Sequence, residues 1–161
     1  MDVFSFDTPK PATAPHVELL IELVPQTSWG ANVRSKCPKA LWDRLRRMSY
    51  KRAGYRCEVC GAEGKLECHE IWAYDDAHAV QKLEGLISLC SRCHEVKHAG
   101  RVATLEKAPG IQRVLLHLCS VNGWKLGQAE AHLKEAFRVW HARSTHNWTL
   151  DLTWLDSAAP D

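Results

Sequence analysis

The chain has 161 residues, of which 45% are hydrophobic and 25% are charged, and its 21 Lys and Arg nearly balance its 19 Asp and Glu. These values suit one ordinary globular domain and exclude a disordered, collagen-like or coiled-coil chain. No apolar run approaches 18 residues, and no basic region followed by an apolar stretch opens the chain. We therefore expect a cytoplasmic protein without a membrane span.

Three residue types are unusually frequent, because the chain contains seven Cys, nine His and seven Trp. Four of the cysteines form two Cys-x-x-Cys pairs, Cys57 with Cys60 and Cys90 with Cys93. In a cytoplasmic chain such pairs hold metal more often than they form disulfides. The odd number of cysteines also argues against a closed disulfide framework.

The N-terminal third combines an apolar run with a strongly basic segment. Residues 1–15, which contain three prolines, are predicted to be a flexible leader, the run 16–24 favours a strand, and a helix is predicted over about 38–53. Positions 34–56 hold nine basic residues and one acid, a net charge of +8. Such a segment binds phosphate without sequence preference, unless it is only a solvated helix face. The candidate DNA-binding residues in it are Arg44, Arg46, Arg47, Lys51 and Arg52.

The C-terminal part shows two helical patterns followed by a strand pattern. Apolar residues recur at helical spacing over 111–121 and again within about 128–143, which predicts a pair of packed helices. Residues 148–154 alternate between apolar and polar, so we expect a half-buried strand that pairs with 16–24. The prediction is one compact α+β domain with four segments: a leader (1–15), a strand and basic helix (16–54), a metal-binding core (55–100), and a helical extension with a strand (101–156).

The two cysteine pairs supply four thiolates, which are the usual ligands of a tetrahedral structural zinc ion. The 29 residues between Cys60 and Cys90 exceed the common spacing, so a further element is expected between the pairs. Gly61 allows the tight turn that lets backbone amides face the sulfur atoms. Buried thiols or a redox pair are the alternatives. Zinc binding at this set would contribute on the order of 10 kcal/mol to folding.

Three histidines lie beside these pairs in the sequence. His94 follows Cys93 directly, His98 lies one helical turn further on, and His69 follows the first pair in a predicted strand. The chain thus reads Cys-x-x-Cys, then Leu-Glu-x-His-x-Ile, then Leu-Ile-x-Leu-Cys-x-x-Cys-His-x-x-x-His. This order, confined to residues 55–100, resembles that of the HNH endonucleases of the ββα-metal, treble-clef type.

The resemblance implies a treble-clef core, with zinc on the four cysteines and a second divalent ion (Mg²⁺, Mn²⁺, Ni²⁺ or Zn²⁺) on His69, His94 and His98. That ion would bind the scissile phosphate of DNA while a base deprotonates the attacking water. Two positions depart from the family. Glu70 stands where a histidine usually serves as the base, and Gly85 stands where an asparagine usually orients it. A carboxylate can act as a general base, so Glu70 is the candidate base, and Glu70 and His69 are the candidate catalytic residues.

Two alignments of the histidine motif remain open. A shifted alignment makes Cys68 the metal ligand and His69 the base, which restores the usual base but loses the match of the neighbouring Leu, Glu and Ile. In the unshifted alignment either Glu70 is the base or activity has been lost. In the latter case the chain is an HNH-derived zinc module that binds DNA or a protein partner without cutting.

Residues 94–98 also match H-E-x-x-H, the signature of zinc peptidases, in which both histidines bind zinc and the glutamate is the base. Glu106 would be a candidate third ligand. However, Cys93 already ties this helix to another metal, and Gly100 is expected to end the helix early. A peptidase is therefore the minor alternative.

Other side chains around the core are candidates for binding nucleic acid. Arg92 and Lys97 could neutralise phosphate, and the acidic cluster at 75–78 could add a ligand or a base, although a solvated surface explains both. Trp29 and Trp72 could stack on bases, with packing as the alternative. The expected partner is DNA, with no membrane, and a homodimer or a protein partner stays open. The small size suits a phage or a mobile element.

Overall fold

The computed structural model describes residues 17–158, so the predicted leader lies outside the described residues. This range contains seven α-helices and one three-stranded sheet, which confirms the α+β class. None of the helices in it is both long and apolar enough to cross a membrane. The elements are α1 (Val33–Lys36), α2 (Lys39–Arg52), β1 (Leu66–Asp75), β2 (Val80–Cys90), α3 (Ser91–Lys97), α4 (Ala99–Leu105), α5 (Lys107–Asn122), α6 (Leu126–Arg143), β3 (Thr149–Asp151) and α7 (Trp154–Ala158).

The long antiparallel hairpin of β1 and β2 separates two hydrophobic clusters. One cluster involves β2, α3, α5 and α6, and the other involves β2, α2 and α7. A bulge after Ile71 makes Glu84 an extra residue on β2. Because the bulge shifts the alternation of side chains, Leu83 and Leu86 both face the second cluster although they are three positions apart. The strand order is β1-β2-β3, so β1 is an edge strand.

The basic helix and the two C-terminal helices predicted from the sequence are confirmed as α2, α5 and α6. Most of their ends lie within about two residues of the predicted ends. Helix α5 ends at Asn122, and Gly123 follows with φ 68°, a left-handed conformation that glycine adopts without strain. The chain then reverses into α6, which packs against α5.

The predicted strand at 16–24 is wrong for its described part, residues 17–24. This segment has no regular secondary structure and pairs with no strand in the described range. Helix side chains take the place of a strand partner. Asn122 accepts from the Leu19 N–H at 2.9 Å and donates to the Leu19 carbonyl at 2.8 Å, and His132 Nε2 accepts from the Ile21 N–H at 2.9 Å. We call residues 17–25 the N-terminal strap.

The predicted C-terminal strand over 148–154 is shorter than expected and has a different partner. Only Thr149–Asp151 is a strand, and it pairs in parallel with Val80–Lys82 at the start of β2 rather than with the strap. Asp151 ends it, because its carboxylate accepts from the Thr153 N–H at 2.9 Å. This turn leads directly into α7, whose Trp154 packs on the second cluster.

We expect Asn122→Ala to lower the free energy of unfolding by about 1–3 kcal/mol, because the Leu19 N–H and carbonyl both lose their partner. Urea denaturation followed by circular dichroism measures the change. Gln112→Ala, at an exposed position of the same helix, is the control and should stay within about 0.5 kcal/mol of the parent. Equal stabilities for the two variants would contradict this role of Asn122.

Candidate metal centre

The four predicted cysteine ligands come together at one end of the hairpin. Cys57 and Cys60 lie in the loop between α2 and β1, Cys90 ends β2, and Cys93 lies in the first turn of α3. Their sulfur atoms all lie within 4.8 Å of one another, and the Sγ atoms of Cys60 and Cys90 are 3.6 Å apart. Sulfur ligands at about 2.3 Å from one tetrahedral ion lie roughly 3.8 Å apart. The group can therefore hold a metal ion.

Backbone hydrogen bonds shape the loop that carries the first cysteine pair. Gly61 has φ 73°, and its N–H donates to the Cys57 carbonyl at 2.9 Å. The Glu58 N–H donates to the Ser88 carbonyl at 2.9 Å, and the Glu58 carboxylate accepts from the Ser88 N–H at 2.6 Å. These contacts fix the loop against β2, near the strand end that carries Cys90.

The pKa values of Cys57, Cys60 and Cys93 are shifted in different directions, so these three thiols do not all ionise together without a cation. A hydrogen bond from Cys93 lowers the pKa of Cys57 to about 4, whereas that same bond raises the pKa of Cys93. Desolvation raises the pKa of Cys60 to about 11. Metal binding at this group is therefore expected to release protons and to depend on pH.

His117 on α5 is a neighbour of this group that sequence reasoning missed. Its Nε2 atom lies 3.2 Å from Cys93 Sγ. In the tautomer with a proton on Nε2, His117 donates a hydrogen bond to a Cys93 thiolate. Residues around a metal site commonly orient its ligands through such hydrogen bonds. No spacing rule marks a histidine 24 residues beyond the cysteine, because the contact depends on the packing of α5 against α3.

The three predicted histidines form a second group. His69 lies on β1, His94 on α3, and His98 at the end of α3, and one ring nitrogen of each lies within 4.8 Å of the others. The Nε2 atoms of His94 and His98 are 3.1 Å apart. Two nitrogen ligands at about 2.0–2.1 Å from one ion lie roughly 3.0–3.4 Å apart. This group can also hold a metal ion.

The state of the three rings suits metal binding. Desolvation is the main cause that lowers the pKa of His69 to about 2 and that of His98 to about 4, and it lowers the pKa of His94 as well. The rings are therefore neutral at pH 7, with lone pairs available. The buried Nδ1 of His69 has no hydrogen-bond partner among residues 17–158. Glu67 lies 2.9 Å from Nδ1 of His94, so it orients that ring.

His69 and Glu70 point in different directions because they are consecutive residues of a strand. His69 faces α3, whereas the Glu70 carboxylate accepts from the N–H of Val33, the first residue of α1, at 3.2 Å. Burial raises the pKa of Glu70. Both side chains still line one cleft, because that cleft includes the edge strand β1.

This cleft has a volume of about 1180 Å³ and runs between α2, the N-terminal strap and α4. Its charges are nearly balanced. Lys97 is buried and pairs with Glu22 of the strap at 2.7 Å, and Arg46 pairs with Asp43 at 2.9 Å. The cations in the lining are Arg34, Lys39, Arg46, Lys97 and Arg101, and the carboxylates are Glu22, Asp43, Glu67 and Glu70.

The predicted DNA-binding residues are divided by the structure. Arg46 and Lys97 line the cleft, whereas Arg44, Arg47 and Lys51 are exposed residues of α2 outside its lining. Arg52 donates to the Leu86 carbonyl at 2.6 Å and pairs with Glu58. Arg92 lies beside a smaller hollow near His117.

Arg101 of α4 is a cleft residue that sequence reasoning missed, because Gly100 was expected to end the site helix. Instead α3 ends at Lys97, and Gly100 lies inside α4.

The alternative sites predicted from the sequence lack support. Cys68 is not in the histidine group but packs with the second hydrophobic cluster. Both carboxylates that a zinc peptidase would use, Glu95 and Glu106, are bound to Arg113, at 3.0 and 2.8 Å. The acidic cluster at 75–78 forms the far end of the hairpin, where its carboxylates bind His78 and Arg143.

Comparisons of the chain with protein-family models, with curated proteins and with solved structures found no match. The two groups of ligands, and the cleft that the histidine group shares with Glu70, are the features that carry chemistry.

We expect two metal sites that can be removed separately. Cys90→Ser should lose the ion held by the thiols, and His98→Ala should lose only the ion held by the histidines, since each variant removes a ligand from one group. Plasma mass spectrometry after zinc or nickel loading and dialysis counts the ions. Cys119→Ser, which changes a cysteine outside both groups, should retain both. An unchanged count in Cys90→Ser would contradict the assignment of the thiol group.

Proposed function

We propose that the protein is a metal-dependent endonuclease of the HNH type that hydrolyses phosphodiester bonds in DNA. The observation that carries this proposal is that His69, His94 and His98 converge in a cleft that Glu70 also lines, next to a group of four thiols. This is the combination that the HNH-like order of motifs implies.

In this proposal the four cysteines hold a structural zinc ion in a treble-clef core. All seven cysteines are free thiols, which favours metal binding over a disulfide. A set of four thiolates with no open position suits structural zinc, since catalytic zinc usually keeps a site for water. The ion would connect the loop after α2, the end of β2 and the start of α3.

The histidine group would hold the catalytic divalent ion, which polarises a phosphoryl oxygen when bound. Glu67 keeps the His94 ring in position through its Nδ1 atom. Glu70 would take the proton of the attacking water. Its raised pKa brings the carboxylate closer to the range in which a general base works at neutral pH, and the Val33 N–H holds one of its oxygens.

Gly85 matters less to Glu70 than the family pattern suggests. Gly85 pairs with Ile71, and Glu70 pairs with Leu86. Residues that are directly opposed in an antiparallel pair share a face, so position 85 lies on the face opposite to Glu70. A Cβ at Gly85 would meet Ile71 Cδ1 at 3.7 Å, an ordinary contact. The lack of asparagine therefore removes no contact with Glu70, and the Val33 N–H takes the orienting role.

The second candidate function is an HNH-derived module that binds DNA without cutting it. The balanced charge of the cleft lining favours this alternative, because phosphate binding there would rest on the metal ion. The exposed basic residues Arg44, Arg47 and Lys51 of α2 would then supply most of the affinity.

Glu70→Gln and His94→Ala should each lower the rate of plasmid nicking at least about 100-fold, because one removes the base and the other removes a metal ligand. Nicking is measured on gels with magnesium, manganese, nickel or zinc. Glu84→Gln, at the exposed bulge of β2 outside the cleft lining, should nick at the parent rate. If the parent binds DNA but nicks with none of these metals, the binding module replaces the enzyme.

Replacing Arg44, Arg47 and Lys51 together by alanine should weaken DNA binding and reduce its dependence on salt. If all three contact phosphates, the slope of log K against log salt should fall by about 2–3. Fluorescence anisotropy between about 50 and 200 mM salt measures this slope. The control replaces three exposed lysines outside α2, Lys107, Lys125 and Lys134. Equal slopes for the two triple variants would show that α2 does not contact DNA.

A further inference from the structure

Trp29 is an exposed aromatic residue on the wall of the cleft. It follows the 3₁₀ turn Gln26–Ser28 at the end of the strap, and its exposed fraction is 63%. It is the one tryptophan among residues 17–158 that is exposed rather than half-buried. It lines the same cleft as the three histidines and Glu70. An exposed aromatic ring in a cleft offers a flat π-face on which a ligand ring can stack.

The indole of Trp29 is fixed in position. Its Nε1–H donates to the Val24 carbonyl at 3.1 Å, and the Nε1–H of Trp140 donates to the same carbonyl at 3.0 Å. The two rings stack with 6.3 Å between their centroids and 26° between their planes. Trp140 therefore supports one face of Trp29, and the N–H edge is already bound. The face that remains accessible is the outer π-face.

We infer that Trp29 is a stacking platform for an unpaired base of the strand that is cut, an inference that rests on the proposed endonuclease function. A base inside an intact duplex already has both faces stacked, so only a single-stranded or extruded base can use the platform. The only N–H of the indole is bound to Val24, so the platform reads no base identity. The substrate class is DNA that is single-stranded or locally unpaired near the scissile phosphate.

The surroundings of Trp29 favour a nucleotide over an apolar peptide. Arg34 and Lys39 line the same cleft, and both are exposed. Lys39 pairs with Asp43 at 2.5 Å, whereas the described residues give Arg34 no ion pair. A free guanidinium in the same cleft as an aromatic face suits a phosphate attached to a stacked base. A peptide with an apolar side chain would gain nothing from that charge.

The test compares the binding of three fluorescein-labelled DNA probes without added divalent metal, so that no strand is cut. The probes are a 20-nucleotide single strand, the matching duplex, and that duplex with one unpaired central nucleotide. The variants are Trp29→Ala, Trp29→Phe and, as a control, Tyr55→Ala, which removes an equally exposed aromatic ring (65%) outside the cleft lining. Urea denaturation checks that each variant is folded.

Trp29→Ala should weaken binding of the single strand and of the duplex with the unpaired nucleotide about tenfold. It should change binding of the intact duplex less than about twofold, since that probe offers no free base. Trp29→Phe should stay within about threefold of the parent on every probe, because it keeps a ring. Tyr55→Ala should match the parent.

Three results would overturn the stacking role: an equal loss on all three probes, no loss on any probe, or a parent that does not bind the single strand. Plasmid nicking by the parent separates this inference from the proposed function. If the parent nicks plasmid but Trp29→Ala binds the probes as the parent does, the stacking role of Trp29 is overturned and the proposed endonuclease function stands. No nicking with any metal, together with the expected loss on unpaired DNA, overturns the endonuclease while Trp29 still binds bases.

Discussion

The position of α3 against the β1–β2 hairpin is the constraint on which both groups of ligands depend. Cys90 ends β2 and precedes α3, and Cys93 follows within the first turn of the helix. Binding of one ion by the four cysteines would therefore fix both the start and the rotation of α3. Cys93 is fully buried towards the thiol group, whereas the next residue, His94, faces His69. A single peptide bond thus joins the two sites, and a shift of α3 would disturb both.

The strap and the two long C-terminal helices act on the same helix from the other side. Lys97 of α3 is buried and bound to Glu22, which fixes the strap beside the histidine group. The strap is in turn held by Asn122 of α5 and by Trp140 of α6. The helices therefore do more than complete a core, because they place one wall of the cleft. In the proposed nuclease that wall carries Trp29, so the outer elements of the fold determine which form of DNA fits.

The parts of the structure that were predictable from the sequence depend on local spacing. Cys90 and Cys93, and His94 and His98, lie within one turn of a helix, so their order in the chain determines their relative placement. The strand prediction for the strap is wrong because the aliphatic run has the pattern of a strand. The hydrogen-bond partners of the strap, Asn122 and His132, lie more than 100 residues away in the chain. His117 was missed for the same reason, since only the packing of α5 against α3 brings it to the thiol group. Arg101 was missed for a local reason, because Gly100 was expected to end the helix and instead lies inside α4.

In the proposed enzyme, the edge position of β1 lets two consecutive residues of one strand, His69 and Glu70, act on the same ligand. Neighbours on a strand point to opposite faces, so His69 and Glu70 would be separated by the sheet if β1 were a central strand. At an edge, a ligand can lie along the strand and contact side chains from both faces. The cleft there has little net charge of its own. In the proposed enzyme the ion on the histidines would therefore supply most of the attraction for the scissile phosphate, so that metal binding, substrate placement and hydrolysis would all depend on the same three rings.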